Sequence, residues 1–305
     1  MGHARWDAHA FKTFAATHVA GRSRAEVFGA KGLAAEFDPA KFTLRESRDS
    51  AANPRSTAIA LFSDVTGSMG FTAENMIRTQ IDTAMREIDA RKPVSDPHLL
   101  VGAVGDAWCD QAPIQMTQFE GGIVLADQLK RLWIEGGGGG NCGESYLAAH
   151  YGAGVKTSID CLEKRGRKGY LFTMGDEPAL PALTRDQIFR VFGVDAGRDL
   201  SAADCLALAE RSYDVFHIVL KNVGYARNGL DRVLASWRPL LGERVLQLDD
   251  HTKVAELVVS TLQVLNGDRV NDVAASWSGT TALTIANAIG GLAKHGGPTG
   301  GVVRF

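Results

Sequence analysis

Ala58-Ile59-Ala60-Leu61-Phe62-Ser63-Asp64-Val65-Thr66-Gly67-Ser68 is the stretch that decides the fold. Its first half is continuously apolar, the composition of a strand buried on both faces of a parallel sheet. Its second half sets a carboxylate and two hydroxyls at alternate positions where that strand should end. Alternate residues of an extended segment point the same way. An ion just beyond the strand tip could therefore touch Asp64, Thr66 and Ser68 together, with Gly67 letting the backbone turn tightly. Oxygen donors with few charges suit a hard cation such as Mg²⁺.

Working outward, Ile77, Ile81, Ala84, Met85 and Ile88 repeat at helical spacing and form one apolar stripe. Residues 99–104 form a second buried strand. Pro113 leads into a short strand at 114–119, an edge partner of the second, where proline is tolerated. Helices are expected at 125–134 and 145–162, separated by the glycine run 136–140. A strand at 169–173 follows. Thr184-x-x-Gln187 and Ser201-x-x-Asp204 resemble capping boxes opening two more helices. Strands at 215–220 and 244–248 flank a helix at 230–241. The last strong helix carries Val254, Leu257, Val258, Thr261, Leu262 and Leu265 on one face. Strands alternating with helices imply an α/β fold: a doubly wound, mostly parallel sheet of about six strands with one antiparallel edge strand and helices on both faces.

Residues 1–55 read as an N-terminal extension packing on the domain, with a short helix at 23–31 and a turn at Phe37-Asp38-Pro39. The regular pattern spans 56–265. The Ala/Gly/Thr-rich tail 266–305 has room for one helix at 282–292.

The composition, 45% hydrophobic and 22% charged over 305 residues, is that of a globular protein. A formal charge of -2 gives no reason to expect nucleic acid or an anionic membrane as partner. No apolar run reaches transmembrane length, and the first residues lack a signal-peptide core. Gly2 invites myristoylation, but Trp6 stands where that signal wants Ser or Thr. Cys109, Cys142, Cys161 and Cys205 are scattered, so free thiols in a cytoplasmic, reducing setting are expected.

In a doubly wound sheet, binding residues gather beyond the carboxyl ends of the strands. Asp64, Thr66 and Ser68 leave the first strand there. The strand 169–173 runs out into Met174-Gly175-Asp176-Glu177-Pro178, which brings Asp176 to the same edge. Between them lies Gly136-Gly137-Gly138-Gly139-Gly140-Asn141-Cys142-Gly143-Glu144, a loop entering a helix. Asp64-Val65-Thr66-Gly67-Ser68, this loop and Asp176, in this order, resemble the metal-ion-dependent adhesion site of von Willebrand factor A-type domains. That resemblance covers residues 56–265 and implies Mg²⁺ or Mn²⁺ held by Asp64, Thr66, Ser68, Asn141 and Asp176. Position 141 is Asn where the family has Thr or Asp, and Glu144 is a competing ligand.

Each piece also has a plainer use. Asp64 and Ser68 can cap the following helix, the glycine run can be a linker, and Asp176 can be a turn residue. Asp106 and Asp110 are expected on a solvated hairpin tip at the same rim. Asp249, Asp250 and His251 are expected to cap the last strong helix, with Lys221 on the rim. His98, His150 and His217 form no pair at metal-binding spacing, and no hydrolase, phosphate-loop or cysteine-protease motif is present.

Two functions follow. In the first the chain is a binding module. A partner protein's Asp or Glu carboxylate completes the metal shell, and by family resemblance the partner is an AAA+ ATPase or a multiprotein assembly. In the second it is an enzyme. Asp64-Val65-Thr66-Gly67-Ser68 also resembles the nucleophile motif of haloacid-dehalogenase-type phosphatases, with Asp64 phosphorylated and Asp176 on Mg²⁺. Thr66 then replaces the expected acid, and the segment after Asp176 lacks that family's further Asp.

Overall fold

The structure, a computed structural model, describes residues 4–137 and 143–294. Among these, six strands form the central sheet: β1 (Thr57–Asp64), β2 (Pro97–Val104), β3 (Ile114–Met116), β4 (Gly169–Gly175), β5 (Tyr213–Leu220) and β6 (Val245–Leu248). Their order across the sheet is β3-β2-β1-β4-β5-β6. All neighbours run parallel except β2 and β3, whose antiparallel pairing places β3 at the edge as expected. The order reverses between β1 and β4, the switch point at which sheets of this kind bind ligands.

Strand alternation sends each apolar run to two cores. From β1, Ile59 and Leu61 meet the helical stripe Ile77, Ile81, Met85 and Ile88 on one face, together with Leu257 and Leu262. Ala58, Ala60 and Phe62 meet Leu147, Ala149 and Trp237 on the other. Helices therefore cover both faces: α1 (Ala8–His18), α2 (Ile81–Arg91), α3 (Tyr146–Val155), α4 (Ala226–Leu241), α5 (Val254–Leu265) and α6 (Gly279–Ile289) are the longest. Between β1 and α2 lie a helical turn at Phe71–Asn75 and a π-helical turn at Met76–Gln80. Both capping boxes form, at Thr184 with Gln187 and at Ser201 with Asp204.

The helix expected at 145–162 is instead three pieces. α3 ends at Val155, Thr157–Ile159 is a short strand, and a helical turn follows at Asp160–Glu163. The Thr157 hydroxyl bonds Ala153 O at 2.6 Å and Tyr213 Oη at 2.6 Å. The new strand pairs in parallel with Arg45–Ser47. A β-branched segment thus left the helix because the N-terminal extension offered it a strand partner.

That extension packs along its length. Asp7 caps α1, accepting from His9 N at 2.8 Å and Ala10 N at 3.0 Å. Trp6 Nε1 donates to Asp82 Oδ1 on α2 at 2.9 Å. At the other end α6 buries Ile285 and Ile289 in the core that holds α5. Cys109, Cys161 and Cys205 are free thiols. No described helix is long and apolar enough to cross a membrane.

Candidate metal centre

Asp64 is the last residue of β1 and Asp176 the first beyond β4, so the two acids flank the switch point. Asp64 is fully buried. Its Oδ1 accepts from Thr66 N at 2.8 Å and from Thr66 Oγ1 at 2.7 Å, while Oδ2 accepts from Tyr146 Oη at 2.8 Å. Asp64 therefore closes a turn on Thr66 and caps no helix. Thr72 Oγ1 braces the turn from behind, hydrogen-bonded to Asp64 O at 2.6 Å and to Met69 O at 2.7 Å. Gly67, at φ +30°, donates its N–H to Gly137 O at 2.8 Å, which ties the start of the glycine run to this turn.

Acids crowd the turn. Glu144, only 4% exposed, shares a hydrogen bond with Thr66, and its Oε2 has no partner among the described residues. Burial, with the charges of Asp64 and Glu177, pushes Glu144 up to about 9. Burial likewise lifts Asp64 to about 7, against the hydrogen bonds from Thr66 and Tyr146 and with help from Asp176. Glu177 rises to about 7 through burial and the charges of Asp176 and Asp106, and its Oε2 is also unpartnered among the described residues. Like charges in low dielectric cannot all ionise unless a cation joins them. The donor set of carboxylate and hydroxyl oxygens fits a hard divalent ion. Among the described residues no three His, Cys, Asp or Glu side chains are grouped to hold a metal by themselves. Any ion here would rely on hydroxyl and water oxygens as well.

Asp176 has a second task. Its Oδ2 accepts from Tyr225 N at the start of α4, and Ala226 N also bonds it. Burial raises this carboxyl while those amides lower it, and the net effect is upward.

Tyr146, the first residue of α3, was not among the expected site residues, yet it is the only side chain besides Thr66 seen bonding the Asp64 carboxylate among the described residues. Burial and the neighbouring Asp64 charge push its phenol well above the usual range, so it stays a donor. Its ring stands edge-on to His217 at 5.1 Å and to Trp237 at 5.8 Å, and His217 stacks on Trp237 at 3.8 Å. His150, one helical turn along α3, meets the same indole. Two histidines without a sequence pairing therefore share one buried cluster. Burial lowers both, His150 to about 4. Tyr146 carried no spacing signal, because it reaches Asp64 only through tertiary packing: Ser145 Oγ accepts from Ala107 N at 2.8 Å and Ser145 N donates to Gly105 O at 3.1 Å.

The solvated tip expected at Asp106 and Asp110 is corrected. Both are buried, at 0% and 4% exposure. Asp106 Oδ1 accepts from Trp108 N at 2.7 Å, Asp110 Oδ2 accepts from Asp106 N at 2.8 Å, and Arg190 covers the loop by donating to Trp108 O at 2.8 Å. The glycine run presses on it too: a Cβ at Gly137 would stand 2.1 Å from Asp110 Oδ1. This part of the run is packed, not a loose linker. The cap expected on α5 is displaced: Asp250 caps the 3₁₀ turn His251–Lys253 ahead of it, accepting from Thr252 N at 2.9 Å. α5 itself has no side-chain cap among the described residues, and Asp249 pairs with Lys221 at 2.8 Å. Of the expected ligands, Asp64, Thr66 and Asp176 are brought to one edge. Asn141 lies outside the described residues, and of Ser68 the described part is the backbone, in the turn Gly67–Gly70.

No family model matches the chain, and no curated protein is similar to it. Among solved structures it is similar to the pilus adhesin SpaC from Lactobacillus rhamnosus GG in an open conformation: 8% identity and a TM-score of 0.45 over 72% of this chain and 31% of that one. Another crystal form of the same adhesin gives 8% identity and a TM-score of 0.46 over 72% of this chain and 32% of the adhesin. The chain spans under a third of the adhesin's length.

Proposed function

We infer that the chain is a cytoplasmic, metal-dependent protein-binding module of the von Willebrand factor A type. Asp64, Thr66, Ser68 and Asp176, with Asn141 or Glu144 from the loop, would hold one Mg²⁺ or Mn²⁺. When bound, the ion supplies an electrophilic position for an Asp or Glu carboxylate of a partner protein, with an AAA+ ATPase or a multiprotein assembly as the expected kind of partner. The observation that carries this function is the convergence at the switch point of Asp64, Asp176 and the buried, half-partnered Glu144. With the neutral Asn141 as the loop ligand, only two carboxylates would enter the shell, which keeps the ion electrophilic toward an incoming carboxylate.

The phosphatase alternative draws less support. Both Asp64 oxygens already accept hydrogen bonds from a fully buried position, a poor posture for attack on phosphorus. Titration with Mn²⁺ should show about one site per chain, lost in Asp64→Ala. Equal binding by both proteins sinks the assignment. A stable, Mg²⁺-dependent fluoroberyllate adduct on Asp64, or turnover of a phosphate ester, would falsify the binding-module function. Pull-down with and without EDTA then identifies what the metal holds.

A further inference from the structure

The amino edge of the same sheet, at the far end of the strands from the acids, carries the opposite charge. A cavity of about 600 Å³ opens there, walled by Trp6, Met85, Ile88 and Val94 and rimmed by Arg5, Arg55, Arg86 and Lys92. A narrower notch of about 120 Å³ shares Arg55 and Lys92 with it and adds Arg165, Arg167 and Lys168. Among the described residues, the acids of the cavity wall are Asp89 and Asp96, and no acid lines the notch. In a chain with a formal charge of -2 this is a local reversal of sign.

Some of these cations have structural work. Arg5 pairs with Asp96 at 3.0 Å, Arg86 with Asp82 at 2.8 Å and Arg165 with Asp49 at 2.7 Å. Among the described residues, Arg55, Lys92 and Arg167 make no ion pair, while Lys168 makes no close pair but its charge acts on the Asp214 carboxyl. Lys92 follows α2, and a cation at a helix C-terminus is ordinary. That explanation does not reach Arg55, just ahead of β1, or Arg167, just ahead of β4, where Lys168 stands beside it. They stand on loops that lead into neighbouring strands and converge on one notch.

We propose that this edge is a binding site for a phosphorylated small molecule of nucleotide size. The cavity volume falls within the range of about 300–1,000 Å³ for small-ligand sites. Its Trp6, Met85 and Ile88 wall suits a flat organic group. The guanidinium groups of Arg55 and Arg167 suit phosphate oxygens, which they can contact through two parallel hydrogen bonds. An extended ligand would place its phosphates in the notch and its organic part in the cavity, across the shared Arg55 and Lys92.

Calorimetry with ADP, pyrophosphate and adenosine, in EDTA to keep the acidic edge out of play, tests this. ADP should bind at about one site, and adenosine should bind far more weakly. Arg55→Glu and Arg167→Glu, both at exposed positions, should each weaken ADP by about tenfold or more, with unfolding curves confirming that both variants are folded. Asp64→Ala should bind ADP like the wild type, so this site and the metal site can fail separately. No heat from ADP at millimolar concentration, or unchanged affinity in both charge-reversed variants, overturns the proposal. Binding of a polyglutamate peptide or a single-stranded oligonucleotide in place of ADP overturns it as well.

Discussion

Gly175→Ala probes the brace beneath the acidic edge without touching a proposed ligand. Gly175 ends β4 with ordinary strand backbone, so alanine brings no backbone strain. Its Cβ would stand 1.8 Å from Tyr146 Oη, 2.5 Å from Cζ and 2.8 Å from Cε1. Tyr146 cannot swing clear, being fully buried against His217 and Trp237. Overpacking of this kind costs about 1–3 kcal/mol. Pushing the phenol off Asp64 removes a donor from a buried carboxylate, about 1–3 kcal/mol more. The reduced freedom of the unfolded chain returns about 0.4–1 kcal/mol. The net destabilisation is about 1–6 kcal/mol, centred on about 3 kcal/mol.

Urea unfolding in EDTA measures this independently of any metal. The same change in a Tyr146→Ala background meets no ring, so its cost should vanish there. The coupling between the two sites should then be about as large as the single-mutant cost. Mn²⁺ should also bind Gly175→Ala more weakly, because the phenol no longer orients Asp64. A cost below about 0.5 kcal/mol, or simple additivity in the double mutant, refutes the packing account.

Asn141→Ala should weaken Mn²⁺ less than Asp64→Ala does, since an amide supplies a dipole where a carboxylate supplies a charge, and Asn141→Asp should tighten it. Greater damage from Glu144→Ala in the same titration identifies Glu144 as the loop ligand. Ser201→Ala removes the acceptor for Asp204 N at 3.1 Å and should cost about 1 kcal/mol in urea unfolding. Acid should loosen the N-terminal extension. Burial opposes ionisation of Asp49, but Arg165 at 2.7 Å and hydrogen bonds from Ser56 outweigh it and hold the carboxyl at about 2. A carboxyl depressed on folding stabilises above its unfolded value and loses that contribution as pH falls through the folded one. Stability should therefore drop by at most about 2 kcal/mol between about pH 5 and 2, and the drop should shrink in Asp49→Asn.

What could be read from the chain was what its neighbours in sequence determine. The run into Asp64 is apolar at every position because helices cover both faces of β1, and that burial needs no knowledge of which helices they are. The boxes at Thr184 and Ser201 close within a single turn, so their residues carry the whole signal. Asp64 and Asp176 were legible as one edge because parallel strands joined by helices all end on the same side. The break in the helix expected at 145–162 was not legible, since the partner of Thr157–Ile159 lies at Arg45–Ser47, far off in sequence.

Asp106 and Asp110 show the harder failure. Polar residues beside a glycine and a proline look like a wet turn, and locally nothing contradicts this. Their burial comes from Arg190 on a distant helix and from Gly137 in the loop above, neither of which belongs to the turn's own pattern. The same long-range contacts give the acids their chemistry. Glu144 and Glu177 are raised first by burial away from water's dielectric, and then by Asp64, Asp176 and Asp106 folded beside them. A motif can name the first carboxylate of such a site. The affinity proposed for a cation would be set by the carboxylates that packing adds, and these are found only when the strands are laid side by side.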